Sequence, residues 1–359
     1  MQNEAPRHVL LDAPSSVSRL RRDPPSPPRG GEGLHRSTTL TLAVDTARPA
    51  TAADYIALLK PRVMSLVVFT ALAGWLAAPG SANPVLAFAA IFAIAAGAGA
   101  AGALNMWYDA DIDAVMNRTK RRPVPSGRVS AADALATGIV ISLLSVTVMA
   151  LAGGVLAAGL LAFTIGFYAL VYTMWLKRRT PHNIVIGGLA GALPPAVAWA
   201  AKTGGLGLDP LLLVLIIFMW TPPHFWALAL YQRGDYAAAG VPMLPVTDGA
   251  RATRRQILIY SLLLAPLGMA PVFTGLGGWV YAIVAAFGGA GFVTLAIRVA
   301  RSNAGEGGTV AGEIYGANPD DRRARNLFVF SILYLFVLFA AIIAEHGLGL
   351  YAPVGFLAP

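Results

Sequence analysis

Long apolar stretches alternate with short polar ones from Lys60 to the end of the chain. Nine of these stretches are close to about 20 residues, the length at which a helix spans a bilayer. Because lipid offers the backbone no hydrogen-bond partner, segments that cross it must be helical. The pattern predicts an all-α polytopic membrane protein, with nine transmembrane helices at residues 61–79, 84–106, 131–151, 154–176, 183–201, 209–231, 256–275, 278–298 and 327–345.

The first 53 residues differ in composition from the rest. Residues 19–29 are rich in Pro and Arg and contain no apolar run, so they cannot bury a core. We predict a disordered cytoplasmic tail over 1–53, a membrane domain over 54–348 and a short external tail over 349–359. An organelle transit peptide is the alternative for the first segment, although acidic residues are untypical of such peptides and this one has Glu4, Asp12, Asp23 and Glu32.

The basic residues define the orientation in the membrane. With nine helices, all of the 27 Lys and Arg residues except Lys202 fall on one side. The positive-inside rule places the N-terminus and the charged loops in the cytoplasm and the C-terminus outside. The net charge of +9 is therefore a topology signal, and no nucleic-acid partner is expected. The sequence contains no Cys, which excludes disulfides, Cys-ligated metals and a thiol nucleophile.

Acidic residues cluster where the second predicted helix reaches the cytoplasm. Asn105, Asp109 and Asp113 are four residues apart and form one stripe on a helix, with about 6 Å between neighbours. Two such carboxylates repel each other unless a cation offsets their charge, and Mg²⁺ typically takes one or two carboxylates plus phosphate oxygens and waters. Asp111 lies on the opposite face and is interpreted as ordinary surface.

Basic residues follow this stripe directly. Arg118, Lys120 and Arg122 are suited to bind phosphate oxygens, so acids that hold a metal adjoin bases that hold a diphosphate. The alternative is a helix end capped in water beside a topology anchor. Lys177 and Arg178, at the next cytoplasmic mouth, are either such an anchor or further phosphate contacts.

The sixth predicted helix adds two candidates. Asp235 follows it on the cytoplasmic side and is a possible third carboxylate for Mg²⁺, although a lone Asp at a helix end is often just solvated. His224 lies within the helix, directly after Pro222 and Pro223. An ionisable residue inside a span is a site candidate, but a neutral His bonded to a backbone carbonyl freed by Pro is an equally good interpretation.

At this point the motifs resemble those of the UbiA-type intramembrane prenyltransferases. The first motif is Asn105-xxx-Asp109-xxx-Asp113 followed by Arg118-Thr-x-x-Arg122-Pro. The second, Asp235-Tyr236-x-x-Ala-Gly-x-Pro-Met-Leu-Pro, and the segment around His224 are similar to the haem-modifying branch of that family. The resemblance covers roughly residues 54 to 345. Two carboxylates found in many aromatic prenyltransferases are replaced by Met106 and Ala239, which leaves the number of Mg²⁺ ions open.

The resemblance implies transfer of a farnesyl group from farnesyl diphosphate to the 2-vinyl group of protohaem IX (haem b), with addition of water. Haem b is then a substrate and Mg²⁺ the cofactor. The membrane would supply the farnesyl substrate, a downstream haem A synthase is an expected partner, and the location is a bacterial inner membrane. The expected roles are metal binding by Asp109, Asp113 and Asp235, catalysis by these with Asn105, Arg118 and Arg122, and substrate binding by Lys120, Lys177, Arg178, Tyr236, His224 and Trp107.

Three other functions remain open from the residues. A quinone- or chlorophyll-pathway prenyltransferase of the same family would differ in its acceptor. A secondary transporter would use the Pro-interrupted helices as a substrate path, but it would place charge near the bilayer centre and not at one mouth. A non-catalytic assembly factor would not need an acidic stripe beside an Arg cluster.

Overall fold

The computed structural model describes residues 49–307 and 319–354, and every regular element in these ranges is helical. The first part comprises α1 (Ala52–Leu58), α2 (Pro61–Ala77), α3 (Pro84–Tyr108), α4 (Ala110–Val115), α5 (Ala131–Gly166) with a π-helical continuation (Phe167–Leu176), α6 (Asn183–Ala192) and α7 (Pro194–Thr203). The second comprises α8 (Leu208–Tyr231), α9 (Arg233–Ala238), α10 (Leu244–Thr247), α11 (Gly249–Phe273), α12 (Trp279–Ala300) and α13 (Asp321–Ile342) with a π-helical end (Ile343–Gly347).

The membrane character predicted from the sequence is confirmed. Among the described residues, seven helical runs are long and apolar enough to cross a bilayer, and α1 with α2, bent by 54°, makes an eighth if the pair is one span. Most spans match the prediction to within a few residues. The differences lie at polar helix starts: α11 begins at Gly249 and α13 at Asp321, each one to two turns before its apolar stretch.

The two spans predicted at 131–151 and 154–176 form one helical run, Ala131–Leu176, of 46 residues. As a straight rod it would measure about 69 Å, more than twice the thickness of the hydrocarbon core. The run is interrupted at Gly154, which has φ 81° and ψ 176°, a conformation that only glycine adopts easily.

Contacts at the two ends of this run show that the chain doubles back at Gly154. Gly138, near the start, packs against Leu104 of α3. Thr173, near the end, accepts a hydrogen bond of 3.1 Å from the neighbouring Asn105. Both ends therefore lie beside the same end of α3, as expected for two antiparallel spans.

The predicted span at 183–201 is interrupted at Leu193, which lies between the end of α6 at Ala192 and Pro194, the first residue of α7. The break follows from proline, which lacks the amide hydrogen that a continuous helix needs. Pro222 and Pro223, by contrast, lie inside an unbroken α8. Close packing accompanies the break: a Cβ on Gly74 of α2 would lie 2.5 Å from the Pro195 carbonyl oxygen.

The predicted external tail, 349–359, is packed at its start. The amide of Trp279 donates to the carbonyl of Ala352 at 3.1 Å, and the Tyr351 hydroxyl donates to the Gly275 carbonyl at 2.7 Å. These bonds hold the start of the segment against the connection between α11 and α12. The short external tail over 349–359 stays a prediction. The predictions for residues 1–48 and 355–359 lie outside the described residues.

Candidate active site

The acidic stripe is preserved across a bend in the chain. Helix α3 ends at Tyr108 and α4 begins at Ala110, yet the helical bonds continue through Asp109. The Asp109 amide donates to the Asn105 carbonyl at 3.0 Å, and the Asp113 amide donates to the Asp109 carbonyl at 2.8 Å. Both carboxylates are buried, at 0% and 1% exposure. The four-residue spacing therefore places the three side chains as predicted.

Asp109 is held by three partners from two parts of the chain. Its Oδ2 accepts a hydrogen bond of 2.7 Å from Asn105 Nδ2 and forms an ion pair with Lys177. Arg178 Nη2 lies 3.7 Å from Oδ1. Oδ1 is buried and accepts no hydrogen bond from a described residue. Because buried carboxylate oxygens are rarely left unpaired, this atom is a candidate metal ligand.

Asp113 is paired within its own loop. Arg122 Nη1 lies 2.6 Å from Asp113 Oδ2, and the Thr119 hydroxyl donates to the Asp113 carbonyl at 2.8 Å. These contacts fold the basic loop after α4 back over the stripe. The acid and base motifs that adjoin in the sequence are thus in direct contact.

Asp235, on α9, joins the two motif regions. Its Oδ1 accepts a hydrogen bond of 3.2 Å from Asn117 Nδ2, and its Oδ2 accepts one of 3.4 Å from the Arg118 amide. Lys120 Nζ donates to Asn117 Oδ1 at 2.8 Å. Both motifs therefore emerge on the same side, as predicted, and Asp235 contacts the basic loop through both carboxylate oxygens.

Asp111 lies on the exposed face of α4, as its helical position predicts, and forms a surface ion pair with Arg178. Its two oxygens accept hydrogen bonds of 2.6 and 2.7 Å from the Arg178 guanidinium, which also lies 4.9 Å from the centre of the Tyr108 ring. These hydrogen bonds lower the pKa of Asp111 and raise the pKa of Arg178 relative to their ordinary values. The pair keeps Arg178 beside Asp109.

Arg118 and Tyr236 lie near each other at the same mouth. The Tyr236 side chain, followed by the Asp113 carboxylate, raises the pKa of Arg118 above its ordinary value. Tyr236 is buried and belongs to an apolar cluster that also includes Ile112 and Ile184. The guanidinium of Arg118 is therefore fully charged at neutral pH and faces both motifs.

Lys60 is a site residue that sequence reasoning missed. Its Nζ donates to Asn105 Oδ1 at 2.7 Å, and its backbone is left-handed with φ 52°, the one positive φ at a non-glycine residue in the described ranges. Such a conformation costs of order 1–3 kcal/mol and is typical of functional sites. The available signal was a Lys directly before Pro61, at the boundary of the first span.

Thr173 and the π-helical segment around it were also missed. The segment Phe167–Leu176 carries Thr173, which bonds Asn105, and Tyr168 and Tyr172, whose rings lie 5.3 Å apart. Both tyrosines are within electrostatic range of Asp109. π-helical turns often accompany functional sites, but a sequence pattern does not reveal them.

Two predicted substrate-binding residues lie outside this cluster. Trp107 packs against an apolar group that includes Leu58 and Val129. His224 is buried in α8, and its hydrogen-bond partner is Ser331 on α13. The structure therefore brings neither side chain into contact with the acidic stripe.

The cluster combines hard oxygen donors with bases, which is the chemistry that a metal–diphosphate complex requires. Throughout residues 49–307 and 319–354, no group of three or more His, Cys, Asp or Glu side chains is arranged to hold a metal ion by itself. Asp109 and Asp113 with Asn105 nevertheless fit Mg²⁺, which needs only one or two carboxylates when phosphate and water complete its shell. Asp235 as a third ligand stays a prediction.

The helical bundle and this site define a class of intramembrane transferase. The profile of the UbiA prenyltransferase family matches residues 66–311, and the chain belongs to this family. The family membership decides against the transporter and assembly-factor interpretations.

Two named relatives are similar to this chain over most of their length. The chain is 60% identical over 333 residues to the protoheme IX farnesyltransferase of Caulobacter sp. (strain K31), covering 88% of this chain and 96% of that protein. It is 58% identical over 318 residues to the protoheme IX farnesyltransferase of Maricaulis maris (strain MCS10), with the same coverage.

Solved structures support the fold. A digeranylgeranylglyceryl phosphate synthase superposes with a TM-score of 0.64 at 15% identity, over 81% of this chain and 97% of that one. A UbiA homologue from Archaeoglobus fulgidus, bound to GPP and Mg²⁺, gives a TM-score of 0.56 at 18% identity, over 80% and 99%. At this level of identity the likeness extends to the fold alone.

Proposed function

We propose that this protein transfers the farnesyl group of farnesyl diphosphate to the 2-vinyl group of protohaem IX, with addition of water, to give haem O. The observation that carries the proposal is the interlocked set of buried acids and bases, Asp109 with Lys177 and Asp113 with Arg122, at one mouth of the bundle. The identity to protoheme IX farnesyltransferases supports the choice of haem as acceptor. The proposed location is a bacterial inner membrane, with a haem A synthase as downstream partner.

Magnesium fits the acidic side of this set. Asp109 offers a buried oxygen that accepts no hydrogen bond from a described residue, and Asp113 and Asn105 offer oxygens of the kind that Mg²⁺ prefers. When bound, the ion would neutralise charge on the diphosphate leaving group. The Mg²⁺ in the Archaeoglobus fulgidus homologue supports this cofactor at the level of the family.

The bases would change partners when the substrate binds. Lys177 and Arg122 now neutralise Asp109 and Asp113, so each acid that turns to the metal releases a base for the diphosphate oxygens. Arg118 faces the same region and adds positive charge, Lys60 donates a hydrogen bond to Asn105 there, and Lys120 and Arg178 are further bases at this mouth. This exchange keeps the buried charges compensated before and during catalysis.

The membrane interior suits the remaining chemistry. A farnesyl chain partitions into lipid at about 0.8 kcal/mol per CH₂, so the substrate would reach the site from the bilayer. Departure of diphosphate would leave an allylic cation at C1, which the vinyl group attacks. Water would then add to the resulting cation on the haem side and release a proton to solvent. Exclusion of bulk water would protect this cation, and aromatic faces such as those of Tyr108, Tyr168 and Phe225 would stabilise it.

The test is an incubation of purified protein with haem b, farnesyl diphosphate and Mg²⁺, followed by pigment analysis with mass detection. We expect a product heavier than haem b by a farnesyl group plus a hydroxyl group, lost on chelation with EDTA and restored by added Mg²⁺. Consumption of farnesyl diphosphate with an aromatic acceptor, and no haem product, would assign the protein to a sister branch of the family.

A further inference from the structure

A second polar cluster lies in the membrane interior, away from the acidic stripe. The His224 ring of α8 is stacked between Trp220, at 4.2 Å between ring centres, and Phe328 of α13, at 4.6 Å. Phe225 meets its edge at 5.0 Å. His224 Nδ1 lies 2.6 Å from the hydroxyl oxygen of Ser331, which is fully buried. The mechanism above uses neither His224 nor Ser331.

Hydrogen-bond geometry determines which ring nitrogen carries the proton. The Ser331 hydroxyl donates to the Phe328 carbonyl at 2.6 Å, and a carbonyl oxygen can only accept. Because the hydroxyl has one hydrogen, Ser331 can only accept from His224. Nδ1 is therefore the protonated nitrogen. Trp220 Nε1 donates to the Ser331 carbonyl at 2.7 Å and holds this part of α13 in place.

The other nitrogen, Nε2, makes no hydrogen bond with any residue that the structure describes. Its ring contacts are with Trp220, Phe225 and Phe328, and among the described residues no carboxylate forms an ion pair with His224. Burying an unpaired charge among apolar side chains is costly, so the ring is neutral and Nε2 carries a lone pair. This arrangement, with one nitrogen donating to an anchor and the other free, is typical of metal-binding histidines.

A lone pair on Nε2 decides whether His224 can contact a haem propionate or the haem iron. A propionate needs a hydrogen-bond donor, which Nε2 does not provide, whereas the haem iron needs a donor of electrons. His224 lies seven residues before the end of α8 at Tyr231, about 10 Å deeper than the cytoplasmic mouth. A ligated iron at this depth would allow the porphyrin edge to extend toward the diphosphate site.

We propose that His224 Nε2 is an axial ligand of the iron of the acceptor haem, and that Ser331 is the positioning residue that fixes the required tautomer. This inference rests on the proposed function and specifies how its acceptor is held. Loss of such an anchor typically weakens metal binding by about 10- to 100-fold.

The test compares binding of ferric haem b and of metal-free protoporphyrin IX to the purified protein. We expect Ser331→Ala to weaken haem binding by about tenfold or more and to alter the Soret band and electron paramagnetic resonance signal of the bound haem. Binding of metal-free protoporphyrin should stay unchanged, because it has no iron to ligate. Ser331→Thr should restore the wild-type spectrum, and added imidazole should restore the spectrum of His224→Gly.

A matched control separates this role from a folding defect. Ser261 is also fully buried and donates to a carbonyl of its own helix, that of Ile257 at 2.6 Å, but it has no histidine partner. Ser261→Ala should cost similar stability and leave haem binding unchanged. Binding of magnesium farnesyl diphosphate should be unchanged in all of these variants.

Three results would overturn the proposal. Equal weakening of haem and metal-free porphyrin by Ser331→Ala would make the cluster purely structural. An unaltered haem spectrum in His224→Gly, with haem product still formed, would overturn the axial ligand and leave the proposed function intact. Failure of the wild-type protein to bind any porphyrin, while it binds the diphosphate, would overturn both.

Discussion

Each candidate acid has a basic or amide partner within the site, and this pairing reconciles burial with charge. Asp109 and Asp113 are almost inaccessible, and an unpaired carboxylate in such a position would cost several kcal/mol. Lys177 and Arg122 offset that cost. When substrate binds, the two acids would bind the metal and the two bases would bind the diphosphate. The ion pairs of the substrate-free site therefore already contain the groups that the reaction needs.

The first prediction at this scale concerns the two buried acids. Asp109→Asn and Asp113→Asn should each reduce turnover by at least about 10²–10³-fold, because each removes charge that would hold Mg²⁺ against the leaving group. Product formation by mass detection at saturating Mg²⁺ measures the effect, and thermal unfolding in detergent checks folding. Asp248→Asn, an exposed acid on the same side, should retain full activity. Full activity of either site variant would exclude the metal site.

The second prediction concerns Asp111. Arg178 lowers the pKa of Asp111, so the pair contributes stability above the pKa of the unfolded state, about 3.9, and that contribution is lost as pH falls through the lower, folded value. Asp111→Asn should therefore lower the unfolding midpoint by a constant amount between pH 5 and 8, a range chosen to lie above about 3.9. The difference from wild type should shrink only in stronger acid. A difference that grows on acidification would contradict this account.

At the scale of the element, sequence spacing predicted local geometry well and long-range partners poorly. Asn105, Asp109 and Asp113 lie on one stripe because helical spacing dictates it. Lys60 with Asn105, Asn117 with Asp235 and His224 with Ser331 are separated by 45, 118 and 107 residues. Such contacts depend on how whole helices pack, which the apolar pattern does not encode.

Helix boundaries, too, were predicted well where they depend on local sequence and poorly where they depend on tertiary contacts. The apolar stretches identified the membrane spans, because length and hydrophobicity alone decide what can cross lipid. The pattern did not distinguish the separate α1 segment or the π-helical turn, since both depend on tertiary contacts. Lys202, the exception to the charge rule, donates to the carbonyls of Trp75 and Ala78 at 3.1 and 2.6 Å and caps α2. Its position therefore reflects a local structural role.

The prediction at this scale tests the reversal within the long helical run. Gly154→Ala should destabilise the protein by about 1 kcal/mol or more, because alanine is strained at a positive φ. Gly159, in the same run, has open space around its Cβ position, so Gly159→Ala should be neutral or stabilising by up to about 1 kcal/mol. Unfolding midpoints of both variants in the same detergent measure the contrast. Equal effects would argue against a reversal at Gly154.

At the scale of the whole molecule, the polar chemistry lies at one mouth and the buried aromatic cluster around His224 lies deeper. This polarity matches the two proposed substrates, one with a charged diphosphate and an apolar chain, the other a largely apolar macrocycle. The orientation of the bundle then determines which compartment supplies the diphosphate, and the asymmetry of Lys and Arg predicts the cytoplasm.

Labelling of single cysteines tests this orientation directly, because the natural sequence has none. Ser126→Cys lies in the exposed loop after α4, beside the acidic stripe, and Leu206→Cys lies in the exposed connection between α7 and α8. In intact cells a membrane-impermeant maleimide should label Leu206→Cys and spare Ser126→Cys, and inverted vesicles should show the reverse. Ser261→Cys, fully buried, should react only after denaturation. Labelling of Ser126→Cys in intact cells would place the acidic site outside the cytoplasm, where the proposed supply of farnesyl diphosphate would fail.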